Sequence, residues 1–307
     1  MDRPIGEQDE QLTISIDAKL AGQLVSSQFP IWKDLPVRPV ELSGWDNRTF
    51  HLGDTMLVRL PSAKEYAVQV EKEQVWLPKL APFLSLKIPV PLAMGKAGCG
   101  YPWKWSIYSW IEGDSLASLS VALETYKLFA LAGDLGKFLN ELQKIESQGG
   151  PRPGLHSFYR GGDLKIYDEE TRRALSLLEG KINTRSAAAI WEKALSTSWN
   201  KKPVWVHGDI SAGNLLLNQD RRLSSVIDFG QLSVGDPSCD LAVAWTAFKG
   251  ESREKFQETL SLDDGTWARG RAWALWKALI VASGLAKTNA AEGAKAFAII
   301  NEVCAGK

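Results

Sequence analysis

In a chain of 307 residues, the run His207-Gly208-Asp209-Ile210-Ser211-Ala212-Gly213-Asn214 sets an Asp and an Asn five positions apart. Ile227-Asp228-Phe229-Gly230 follows, with its Asp fourteen positions beyond that Asn. A carboxylate can accept the proton of a hydroxyl nucleophile, while an amide oxygen and a second carboxylate are hard oxygen ligands suited to magnesium on a nucleotide's phosphates. Phosphoryl transfer needs this set of groups. A lone loop Asp is more often a turn or cap residue, so the weight rests on the three in this order: Asp209 as base, Asn214 and Asp228 as metal ligands. His207 reads as an imidazole that orders the loop by hydrogen bonding. Asp236-Pro237-Ser238 reads as an N-cap followed by Pro at the first helical position, opening a helix through Lys249, and Asp240 at its start reads as structural, with contact to the catalytic loop as the alternative.

Elements must hold these groups. Three short strand-like runs, 204–206, 215–217 and 225–227, each end beside a charged or polar residue, within a half of the chain that is otherwise mostly helical. A helix over 116–145 carries Leu128, Leu131, Leu135, Phe138, Leu142 and Ile145 at helical spacing, and the stretch 147–163 is the longest loop. Before residue 112 the pattern is different. A short helix capped by Asp17 precedes strands at 37–42, 49–52 and 56–60, the last two joined by a Gly53-Asp54 turn in an antiparallel meander. A helix over 65–80 and strands at 88–93 and 105–110 complete five strands and one helix. The class is α+β: residues 1–111 form a small lobe with an antiparallel sheet and one helix, and 112–307 a larger, mainly helical lobe, with a ligand cleft expected between lobes.

The Asp-to-Asn spacing equals that of the protein-kinase signature H-R-D-x-x-x-x-N followed by D-F-G. With Gly208 in place of the Arg, VWVHGDISAGNLLL, VIDFG and GDPSCDLAVAW resemble the catalytic region of the aminoglycoside phosphotransferase and choline kinase-like enzymes. LSGWDNRTFHLG, LVRLP and WSIYSWIEG resemble that family's nucleotide site and interlobe linker, so the likeness extends over nearly the whole chain. It implies a bilobal protein-kinase-like fold, and transfer of the γ-phosphate of ATP or GTP, with Mg2+, to a small-molecule hydroxyl. It also implies nucleotide-binding roles for Ser109 and Ile111. The Gly-rich loop G-x-G-x-x-G is missing, since 43–53 holds only Gly44 and Gly53, so Asn47 or Arg48 is expected to serve there. Arg59 stands where a strand lysine would touch the phosphates, and guanidinium can pair bidentately with them. Lys64 is the alternative. Glu73 is the expected carboxylate partner from the following helix, with Glu71 as competitor. Only eight positions separate Asp228 from Asp236, too few for a phosphorylated activation loop.

Composition agrees with a small-molecule acceptor. With 36 Lys+Arg against 36 Asp+Glu the formal net charge is +0, which removes long-range attraction to nucleic acid or anionic membrane. No obligate protein partner is called for. Cys99, Cys239 and Cys304 are odd in number and far apart, and the N-terminus lacks the apolar core of a secretory signal, so a cytoplasmic protein is expected. Five acids against two bases over 251–264 would suit a polyamine such as an aminoglycoside, although a solvated helix face is the ordinary explanation. Trp267, Trp273 and Trp276 offer an aromatic wall for a sugar face or a macrolide, and three Trp at helical spacing are equally a core. Choline or another small metabolite is a further possible acceptor, and a nucleotide-binding pseudoenzyme a further function. A dinuclear metallophosphatase needs more His ligands than His51, His156 and His207.

Overall fold

Residues 47–52 and 56–61 alternate buried and partly exposed side chains and pair into a hairpin, the centre of a five-stranded antiparallel sheet. The strands are β1 (Val37–Pro39), β2 (Asn47–Leu52), β3 (Met56–Pro61), β4 (Pro91–Gly95) and β5 (Trp105–Ser109), in the spatial order β1-β2-β3-β5-β4. The computed structural model describes residues 15–41, 46–119, 123–286 and 290–305. Helix α1 (Ala18–Gln28) lays Leu20, Ala21, Leu24 and Val25 against Phe50, Leu52, Val58, Leu60, Trp105 and Ile107 to make one core. Asp17 caps α1 as expected, its Oδ1 accepting the Leu20 N–H at 2.8 Å. Val58 and Leu60 face this core, so the strand's period of two turns Arg59 to the other side of the sheet.

The expected strand at 88–93 starts later, at Pro91. Pro89 has no N–H for a ladder. Lys87 instead pairs elsewhere, donating to the Ser224 carbonyl at 3.2 Å and accepting the Val226 N–H at 3.0 Å. Helix α2 (Lys64–Leu80) matches the expected helix almost residue for residue. The described residues up to Glu71, with Pro91–Trp110, form one compact unit; Lys72–Val90 and the chain from Ile111 onward form the other.

The second unit is built mainly of helices. They are α3 (Thr125–Lys144), α4 (Asp168–Leu177), α5 (Thr184–Leu195), α6 (Val243–Thr246), α7 (Glu251–Leu260), α8 (Asp264–Ala282) and α9 (Ala290–Ala305). Two small antiparallel sheets hold the expected short strands: β7 (Val204–Val206) with β10 (Ser233–Gly235), and β6 (Asp114–Ser115) with β8 (Leu215–Leu217) and β9 (Leu223–Val226). Helix α3 starts later than expected because 116–118 is a separate 3-10 turn, where Ser115 Oγ caps the Ser118 N–H at 3.1 Å. The helix expected from 237 through 249 is a 3-10 segment, Pro237–Ala242, followed by the four-residue α6. Pro237 through Leu241 are all buried, so this segment has no solvated face for a sequence periodicity to report. An antiparallel sheet early and helices late make the molecule α+β, as expected.

Candidate active site

Strand β7 delivers the chain to His207, and hydrogen bonds then fix each peptide group around Asp209. The buried His207 ring accepts the Asp209 N–H at Nδ1 (3.1 Å), which leaves Nε2–H to donate to the Ile227 carbonyl at 3.0 Å. The ring packs on Phe229 at 4.4 Å between centroids. Its ordering role is thus the expected one. Asp240 takes the second of its two readings, contact with the catalytic loop. Its carboxylate accepts the N–H groups of His207 (2.8 Å) and Gly208 (2.7 Å), reaching back 32 residues to brace the loop. Burial raises the Asp240 carboxyl above its ordinary range, against the pull of His207 and of the two N–H bonds. No helical period reveals such a contact.

Gly208 has φ +86, and a Cβ there would lie 2.6 Å from the Gln231 carbonyl oxygen. Only glycine fits. Beyond it, Asn214 donates through Nδ2 to the Asp209 main-chain oxygen at 2.8 Å and to its Oδ2 at 3.1 Å. The amide nitrogen is therefore turned to Asp209, and the Asn214 main-chain oxygen accepts the Ile227 N–H at 2.9 Å. Both ends of Ile227 are thus held by the loop, one by His207 and one by Asn214. Asp228 follows in the left-handed region at φ +66, ψ +69, a conformation that costs a non-glycine residue roughly 1 kcal/mol or more and persists only where the surroundings impose it. Asp209, Asn214 and Asp228 are each partly exposed. Among the described residues no group of three or more His, Cys, Asp or Glu side chains could hold a metal ion.

The remaining predicted residues are placed as follows. Asn47 heads β2 opposite Pro61, and Ser109 ends β5 opposite Met56. Arg59 pairs across β3 with Thr49 and Ser106, its guanidinium 5.8 Å from the Tyr108 ring centre. Ile111 is the first residue of the second unit's long segment, and Glu73 sits in the part of α2 that belongs to that unit, 4% exposed. Its competitor Glu71 is exposed and ion-paired with Lys104. Lys64 opens α2. Gly44 lies outside the described residues.

Sequence reasoning missed two cations, Lys72, which is half-buried, and Arg160, which is buried. Lys72 donates from Nζ to the Gly230 carbonyl (2.8 Å), the His156 carbonyl (3.1 Å) and His156 Nδ1 (2.9 Å). Burial lowers Lys72 to about 7, partly opposed by Glu73, and burial also lowers His156. Arg160 donates from Nε to the Gly208 carbonyl at 3.2 Å. The only sequence hint was the Gly-rich 147–163 stretch that holds His156 and Arg160.

Residues 37–273 match the phosphotransferase enzyme family. The chain belongs to that family. A comparison with curated proteins gives no match. Among solved structures, the GDP and kanamycin complex of APH(2")-IIia is similar with a TM-score of 0.71 and 19% identity, covering 92% of this chain and 97% of that one. The gentamicin complex of APH(2")-IIa is similar at 0.63 and 21%, covering 96% and 98%. Macrolide 2'-phosphotransferase MphH from Brachybacterium faecium is similar at 0.59 and 19%, covering 93% and 98%.

In this phosphotransferase the two acceptor features expected from sequence have structural explanations. Trp273 and Trp276 are 3% and 5% exposed in a cluster with Leu164, Trp191, Val206 and Ile280, and Trp267 packs edge-on against Phe256 at 5.9 Å. They form core. Along α7, Ser252, Phe256 and Leu260 are buried while Glu251, Glu254 and Glu258 are exposed. Asp263 caps α8 through the Thr266 N–H at 2.9 Å and pairs with Lys201 at 2.8 Å, and these bonds hold its carboxyl well below the usual range. The acids therefore make a solvated face and a cap.

Proposed function

We propose that this phosphotransferase moves the γ-phosphate of ATP or GTP to a hydroxyl of a small molecule, an aminoglycoside-type antibiotic or related amino sugar. The observation that carries the reading is the joint arrangement of Asp209, Asn214 and Asp228: an amide fixed on the candidate base, and a second carboxylate that directly follows Ile227, whose N–H is held by Asn214 and whose carbonyl is held by His207. Asp209 is positioned by Asn214 and accepts the acceptor's proton as its oxygen attacks phosphorus. The donor set suits a hard cation, because Asn214 turns its amide nitrogen to Asp209 and so directs its oxygen elsewhere, while Asp228 contributes a carboxylate. These two would hold Mg2+, which when bound neutralises phosphate charge. Arg59, with Asn47, is assigned to the nucleotide's phosphates, Glu73 to pairing with Arg59, and Ser109 and Ile111 to the base end of the nucleotide. Residues 1–111 are assigned to nucleotide binding and 112–307 to catalysis and acceptor binding.

Two relatives bear on the acceptor, one solved with kanamycin and one with gentamicin. Among the described residues no helix is long and apolar enough to cross a membrane, and the free thiols fit a cytoplasmic enzyme. The test is magnesium-dependent turnover of ATP and GTP against a panel of aminoglycosides, macrolides and choline. Phosphorylated kanamycin or a congener is expected. Asp209→Asn should lower kcat about 10²–10⁴-fold with the nucleotide KM nearly unchanged, since only proton acceptance is removed. Nucleotide binding without turnover on any acceptor would make the protein a pseudoenzyme.

A further inference from the structure

Arg160 is 7% exposed, and among the described residues no carboxylate pairs with it. Its guanidinium carbon lies 4.8 Å from the ring centres of both Trp273 and Trp276, and among the described residues Nη1 has no hydrogen-bond partner. A buried cation without a counter-ion is costly even between two indole faces. Among the described residues its side-chain hydrogen bond goes to the Gly208 carbonyl, the peptide oxygen immediately before Asp209.

We infer that Arg160 is a positioning residue for the catalytic loop, holding the Gly208–Asp209 peptide so that the Asp209 carboxylate keeps its place. This rests on the function proposed above. Gly208 is then clamped at both ends, its N–H by Asp240 at 2.7 Å and its carbonyl by Arg160 at 3.2 Å. Asp209 is held in turn through its N–H by His207 and through its carbonyl by Asn214. The clamp has a rigid base. The Arg160 carbonyl accepts the Ser233 hydroxyl at 2.6 Å, the Gly161 carbonyl accepts the Asp236 N–H at 2.8 Å, and the Pro151 carbonyl accepts the Val234 N–H at 2.8 Å. The loop 147–163 is thus laced along β10, which pairs with the strand that leads into His207. Gly161 and Gly235 meet so closely that a Cβ on Gly235 would be 2.0 Å from the Gly161 oxygen. The buried Trp273 and Trp276 consequently act on the chemistry indirectly, by packing against this guanidinium.

The experiment compares Arg160→Met, which keeps an apolar stem between the indoles, with Arg160→Lys and Asp209→Asn, using ATP, magnesium and kanamycin as the probe acceptor. Amide exchange at 207–209 is followed without acceptor. Arg160→Met should lower kcat about 10–100-fold, the range expected for small misplacement of a reacting group, with KM for ATP and kanamycin within about twofold. Its amides at 207–209 should exchange about tenfold faster or more while those of α3 do not change. Arg160→Lys should recover part of both, because a point charge can approach the carbonyl but cannot stack as the planar fork does. Unchanged exchange at 207–209, or wild-type kcat with only a lowered Tm, would overturn the inference and leave Arg160 as core packing. Loss of turnover in Asp209→Asn without loss in Arg160→Met would reject the positioning role alone, whereas wild-type turnover in Asp209→Asn would reject the proposed function. If kanamycin is not turned over, the exchange comparison still decides. If Arg160→Met does not fold, the same measurements on Arg160→Lys do.

Discussion

Gly208 carries the tightest steric requirement at the candidate site. With φ +86 and the Gln231 oxygen 2.6 Å from where a Cβ would stand, Gly208→Ala is both strained and overpacked. We expect it to destabilise the protein by about 1–3 kcal/mol in urea titrations and to lower kcat. Arg59 gives a prediction of a different kind. If its guanidinium forks onto phosphates, Arg59→Ala should raise the KM for ATP and lower kcat while adenosine, which has no phosphate, binds as before. Arg59→Lys should recover only part of the loss, since an ammonium restores charge without the bidentate geometry. A phosphate-specific defect in Lys64→Ala instead would move the contact to the start of α2. Glu73 was the expected carboxylate by sequence pattern, with Glu71 as its competitor. Burial separates them, one exposed beside Lys104 and the other inside the second unit.

At the scale of elements, the contact of α2 with the Asp228-Phe229-Gly230 turn runs through Lys72. Three acceptors surround its Nζ, burial favours the neutral amine and Glu73 partly opposes this. Because the folded value of about 7 lies below the ordinary 10.5, the unfolded chain binds more protons between those values. The stability that the neutral amine confers is complete above the unfolded value and is lost as pH falls toward 7. Urea unfolding of the wild type should therefore show stability rising from pH 7 to 9.5 more steeply than in Lys72→Met. Parallel slopes would mean that the amine stays charged throughout. A second tie at this scale joins α8 to the segment after β10, where Arg269 Nε meets Asp236 Oδ2 at 2.6 Å, both residues buried. Asp236 was legible as a cap, and it does accept the Ser238 N–H at 3.0 Å. Its ion pair depends on a residue 33 positions away and left no local trace.

For the whole molecule, binding that involves only the native state must raise the unfolding temperature. ATP with magnesium at about a hundred times its dissociation constant supplies ~2.7 kcal/mol, which for a chain of this size is a shift of roughly 5 °C. Asp228→Ala should remove the part of that shift that depends on magnesium. A magnesium effect that survives would place the metal ligand elsewhere. The zero net charge read from composition means that this shift should depend little on long-range attraction by the protein's overall charge.

What the sequence determined by itself is what neighbours along the chain decide. The Asp17 cap, the β2–β3 hairpin, the span of α2, the short strands beside polar residues and the Asp209, Asn214, Asp228 order all rest on spacings of a few residues or on a contiguous pattern. Packing decided the rest. Arg160 reaches Gly208 across 48 residues and Lys72 reaches Gly230 across 158, so neither contact imposes a period or a cap on the local sequence. The same holds for Trp273 and Trp276, whose spacing suits an acceptor wall and a core equally well. Their burial against Tyr167, Trp191 and Arg160 makes them core. Burial depends on what the rest of the chain brings to a side chain, and for that reason only the tertiary structure could decide it.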